Sequence, residues 1–100
     1  MPDDPIEVAG NVHRLAFEND RVRVMEVVFK PGDKAAMHRH PENMLYIKEP
    51  GTIRFSLPSG GSNEAVLHKG QIIYNAREVI HAAENVGNTT VEILAIEFKE

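Results

Sequence analysis

"GDKAAMHRH" (Gly32–His40) places two histidines two positions apart, shortly after a turn at Pro31–Gly32. Residues i and i+2 of a strand project to the same face, so a strand here presents the imidazoles of His38 and His40 side by side. Two imidazoles do not complete a metal site, and a further donor must come from another strand. His81 is the best-placed candidate. It begins a short apolar stretch after the loop "NAREVI" and lies far along the chain, as pairing between distant strands requires.

Outward from this segment the chain reads as short apolar runs separated by turn residues. "RVRVMEVVF" (21–29), "NMLYIK" (43–48) and "TIRFSL" (52–57) come first. "EAVLH" (64–68), "QIIY" (71–74), "IHAAEN" (80–85) and "TVEILAIEF" (90–98) follow. They are punctuated by Glu49-Pro50-Gly51, "PSGGSN" (58–63), Lys69-Gly70 and "VGNT" (86–89). Strands of four to nine residues at regular intervals, with no helical periodicity, predict an all-β sandwich or barrel. Length sets a single domain: residues 1–10 are an acidic, loosely held lead-in and residues 11–100 form the β-domain.

Composition narrows the function classes. The net charge is −4 and no two Lys or Arg residues are adjacent. A nucleic-acid partner is not expected, because phosphate binding needs clustered Lys and Arg. Cysteine is absent, so any metal is held mainly by His, Asp or Glu. The N-terminus lacks the apolar core of a secretory signal, and no apolar stretch is long enough to span a bilayer. The expectation is a cytoplasmic protein without a membrane partner. A 100-residue domain has a modest core and exposed strand edges, which favours a homodimer.

Between Gly32 and Asn85 the chain resembles the cupin superfamily. The first cupin motif pairs glycine with HxH, a glutamate after three or four intervening residues and a second glycine. Gly32, His38, His40 and Gly51 fall in register with it, and Met44 stands at the glutamate position. In the second motif Gly70, His81 and Asn85 match, whereas Ala76 and Glu78 replace the usual proline and glycine. The resemblance implies a single-domain cupin-type jelly-roll β-barrel in which His38, His40 and His81 ligate one divalent metal. Fe(II) is favoured over Zn(II), Ni(II) or Mn(II). Met44 offers a soft thioether in place of a carboxylate. Glu42 has the strand parity of the two histidines and is the alternative fourth ligand. Met44 and Tyr46 share a parity and are pocket candidates or core packing.

Three neutral imidazoles would leave the metal its full charge and favour a small anionic or enolisable ligand. By this resemblance the chain is a metal-dependent dioxygenase or related oxidoreductase. The alternative is a non-catalytic small-molecule binding or sensing module with a vestigial or structural metal. His13 and His68 read as surface or edge histidines, Arg54 as solvent-facing, and Glu78 as a solvated loop carboxylate. Asn85 serves the turn into Val86-Gly87.

Overall fold

The computed structural model describes residues 3–100. One short helix and nine strands follow in chain order: α1 (Pro5–Val8), β1 (His13–Glu18), β2 (Val22–Phe29), β3 (Lys34–His40), β4 (Asn43–Glu49), β5 (Gly51–Ser56), β6 (Ser62–Leu67), β7 (Ile72–Asn75), β8 (Val79–Asn85) and β9 (Val91–Phe98). Two antiparallel sheets result. One runs β1-β2-β9-β4-β7, the other β3-β8-β5-β6. They do not close into a continuous barrel, so the expected barrel is a two-sheet jelly-roll. All seven strands read from the apolar runs are present, with ends shifted by at most two residues.

The core sits between the sheets and follows strict alternation. In β9, Val91, Ile93, Ala95 and Glu97 are buried while Glu92, Leu94, Ile96 and Phe98 are half-buried on the other face. Their antiparallel partners obey the same parity: Ile93 faces Val27 and Ile47, and Ala95 faces Met25 and Leu45. Ile53 and Ala83 close the core from the second sheet.

Two glycines are needed for the strands flanking the histidine segment. Gly32 has φ +86°, a left-handed conformation that L side chains rarely adopt. A Cβ at Gly51 would collide with the Val91 side chain, so the turn between β4 and β5 requires glycine for space.

The lead-in differs from the sequence expectation. Met1 and Pro2 lie outside the described residues, but from Asp3 onward the segment is tied down. Asp3 pairs with Arg39 at 2.7 Å and Asp4 with Arg23 at 2.8 Å. The Asp4 side chain also caps α1 by accepting from the Ile6 amide. Pro5 and Ala9 are buried, because α1 packs across β1 and β3 and covers that end of the core.

Candidate metal centre

His38 and His40 project inward from β3, as the i, i+2 spacing requires, and both are buried. A bulge sets their direction. Ala35 faces Ala83 across the ladder, but His38, three residues on, faces His81, only two residues back. The extra residue re-aims the strand, so Ala35 and His38 both point into the core despite their odd separation. It also leaves the Ala36 carbonyl available, and His38 Nδ1 lies 2.6 Å from it.

His81 is brought to the same place. It is the direct cross-strand partner of His38, with ring centroids 4.8 Å apart, and lies 5.5 Å from His40. It is half-buried, with its ring stacked on Phe55 at 4.9 Å.

His13 corrects the reading of a surface or edge residue. Its strand is the edge of the five-stranded sheet, but its side chain is only 5% exposed. The register pairs it with inward-facing Val27, which turns the imidazole inward to 4.9 Å from His38 and 5.7 Å from His40. Alternation along β1 does not mark this: Leu15 and Phe17, at the same two-residue spacing, are 45% and 54% exposed, and the register shifts between them. His68, by contrast, is exposed.

One ring nitrogen each of His13, His38 and His40 lies within 4.8 Å of the other two. In each ring Nδ1 is already engaged. His13 Nδ1 donates to the Ala9 carbonyl at 3.0 Å, His38 Nδ1 to Ala36, and His40 Nδ1 to the Glu97 carboxylate at 2.6 Å. That leaves Nε2 as the lone-pair donor on all three rings, the arrangement in which a second partner fixes tautomer and orientation for a metal. Glu97 is only 3% exposed and is held in turn by Arg23, whose guanidinium also reaches Asp4. A chain of polar contacts thus runs from Asp4 through Arg23 and Glu97 to His40.

Burial also keeps His13, His38 and His81 unprotonated. Desolvation, with neighbouring imidazoles adding, pushes His81 down to about 3. His13 goes down to about 4 for the same reasons. Desolvation lowers His38 to about 4 although the Ala36 carbonyl and Glu97 pull the other way. Neutral, convergent imidazoles suit a borderline divalent ion such as Fe(II), Zn(II) or Ni(II).

A pH dependence of the metal-free chain follows. These rings take up protons near pH 6.5 when unfolded but only near 3–4 when folded. The unfolded state therefore binds more protons throughout the interval between, and stability falls as pH drops through it. Urea midpoints measured in chelator should be flat above about pH 7 and fall steeply from about pH 6.5 toward 4. A midpoint constant down to pH 4.5 would contradict this burial of neutral rings.

The four histidines form one end of a cavity of about 40 Å³ between the sheets, room for about three water-sized groups. Asn43 and Asn75 are its other polar lining, and the rest is apolar. Asn75 donates to Asn43 Oδ1 at 3.1 Å, and Asn43 donates to the Pro41 carbonyl at 2.8 Å.

Glu42, Met44 and Tyr46 do not line this cavity. The chain crosses from one sheet to the other between His40 and Asn43, and strand parity is not carried through that turn. Asn43 and Leu45 therefore face inward, while Met44 and Tyr46 pair with outward-facing Ile96 and Leu94. A four-residue gap after His40 lands on Leu45, which does line the cavity, and the site has no carboxylate there. Glu42 is exposed and accepts a hydrogen bond from the Tyr74 hydroxyl. Arg54 is on the surface with Glu64, and Glu78 with Arg39. Asn85 serves its turn by accepting from the Gly87 amide, and it also donates to the Phe29 and Thr89 carbonyls.

Among the described residues no helix is long and apolar enough to cross a membrane. A comparison with curated proteins finds no match. Among solved structures, the chain is similar to a cupin domain from Bordetella pertussis Tohama I. The two are 27% identical over 89% of this chain and 93% of that one, with a TM-score of 0.82. A cupin family protein from Methanocaldococcus jannaschii shares the fold at 17% identity, covering 88% of this chain and 79% of that one, with a TM-score of 0.71. A cupin superfamily protein from Desulfitobacterium hafniense does so at 16% identity, covering 89% and 77%, with a TM-score of 0.66. The family model described as "Cupin domain" matches residues 25–97, and the chain with its two-sheet fold and inward-facing histidines belongs to that family.

Proposed function

We propose that His13, His38, His40 and His81 together hold one divalent metal, and that the protein is a small metal-dependent oxidoreductase of the dioxygenase type. Its substrate is a small anionic or enolisable molecule. The observation that carries this reading is the convergence of buried imidazole nitrogens with Nδ1 already engaged in three of the rings. A divalent ion there would supply a Lewis acid and, as iron, redox capacity.

The chain's own residues set the selectivity. Four neutral donors cancel none of the ion's charge, so an anion entering the cavity gains strongly in surroundings poor in water. The apolar walls exclude bulk water, and the narrow cavity restricts the ligand to a small molecule. The Asn75 amide offers a polar contact to a ligand oxygen. No Asp, Glu, Lys or hydroxyl side chain lines the cavity among the described residues. The chemistry supported best is therefore one in which the protein supplies no proton carrier of its own.

That same absence favours the second reading, a non-catalytic module that binds a small anion through its metal. The experiment is to load chelator-treated protein with Fe(II), Zn(II), Ni(II) or Mn(II) and titrate a panel of β-diketones, thiols and 2-hydroxy acids while recording oxygen uptake. The oxidoreductase reading expects oxygen consumption with Fe(II) and at least one compound, and none in His38→Ala. Saturable anion binding without turnover for any metal would replace it with the binding module.

A further inference from the structure

The outer face of the five-stranded sheet carries an apolar surface that the cavity does not use. One row crosses all five strands: Phe17 lies opposite Val24, Val24 opposite Ile96, Ile96 opposite Met44, and Met44 opposite Tyr74. In the next row Leu94 lies between Glu26 and Tyr46, and Tyr46 faces Ile72. Exposure is high for the bulky members: 54% for Phe17, 42% for Tyr46, 63% for Ile72 and 57% for Tyr74. A contiguous patch of this kind on a small soluble domain marks an interaction site.

Its size and rim indicate the occupant. Five strands about 4.8 Å apart and two to three side-chain rows about 7 Å apart give a footprint of roughly 300–500 Å². With its rim this approaches the roughly 800 Å² per partner of a stable interface. Part of the rim charge is matched within the chain: Arg14 pairs with Glu26 and Lys99 with Glu18, each at 2.5 Å. Such pairs project little field of either sign to select an oppositely charged partner. A flat sheet face of this type packs well on another sheet about 10 Å away, and a two-fold axis brings the same patch of a second copy onto it.

We propose that two copies of this chain pack back to back through the outer face of the β1-β2-β9-β4-β7 sheet. Met44 then has a role: it is part of the dimer surface and not of the metal site. The interface uses the face opposite to the one that lines the cavity, so the proposal stands or falls independently of the metal.

Sedimentation equilibrium of the full chain tests it, with Phe17→Glu and Ile72→Glu as variants. Both side chains are largely exposed in the single chain, so their replacement should leave its fold intact, checked by circular dichroism. The wild type should have twice the chain mass at about 10 µM, and each variant should raise the dimer dissociation constant by about 100-fold or more. Val66→Glu, equally exposed but on β6 of the other sheet, should leave the dimer unchanged. A wild-type monomer at about 100 µM would overturn the proposal. So would dimers of Phe17→Glu and Ile72→Glu as tight as wild type, including the case in which Val66→Glu alone dissociates them through an edge contact of β6.

Discussion

His38→Ala should bind a divalent metal more than about 100-fold more weakly than the wild-type chain, since loss of an outer partner alone costs 10–100-fold and here a ligand itself is removed. His38 is 1% exposed, and its ring lies within 4.7–4.9 Å of the rings of His13, His40 and His81. It is the ring that touches all the others. His13→Ala should also weaken the metal strongly, because its nitrogen belongs to the group of three that lie within 4.8 Å of one another. His68→Ala should leave it unchanged. Competition with a chelator of known affinity reads all of these, and a thermal melt of each metal-free variant separates lost ligation from lost folding. If His13→Ala binds like wild type while His81→Ala does not bind, β1 supplies no ligand and the centre reduces to His38, His40 and His81.

Arg23→Ala should destabilise the metal-free chain by about 3–5 kcal/mol, the usual result of removing one partner of a buried ion pair. The Arg23 side chain is 16% exposed and that of Glu97 is 4% exposed. One guanidinium binds Glu97 through Nε at 3.2 Å and Asp4 at 2.8 Å. Without it the Glu97 carboxylate keeps only His40, and α1 loses one of its ties to the sheet. Arg23→Lys should recover only part of the loss, because an ammonium cannot reproduce the planar fork that serves two carboxylates. Urea unfolding at pH 7 gives the difference. A change below about 1 kcal/mol would mean that the pair's attraction only offsets its desolvation.

The all-β class and seven of the nine strands were legible because hydrophobic alternation and turn residues act locally. The inward direction of His38 and His40 was legible for the same reason, and so was the surface position of Arg54. What the sequence hid were events that break alternation. The bulge before His38 and the passage from one sheet to the other after His40 each reset the parity. Met44 and Tyr46 were thereby placed on the wrong face, and Asn43 and Leu45 were overlooked. His13 was missed for another reason: its partners, Val27 and the Ala9 carbonyl, are set by strand pairing and by the packing of α1. Glu97 was hidden because an acidic residue near the end of a strand carries no mark of the His40 and Arg23 it meets across the fold.

X-ray absorption on the metal-loaded, untagged protein tests the central claim most directly, with metal content measured on the same sample. The account predicts one metal per chain ligated by four imidazole nitrogens at about 2.0–2.2 Å, with no protein carboxylate in the first shell. A spectrum showing two or fewer imidazoles, or a chain that retains no stoichiometric metal at neutral pH, would contradict it.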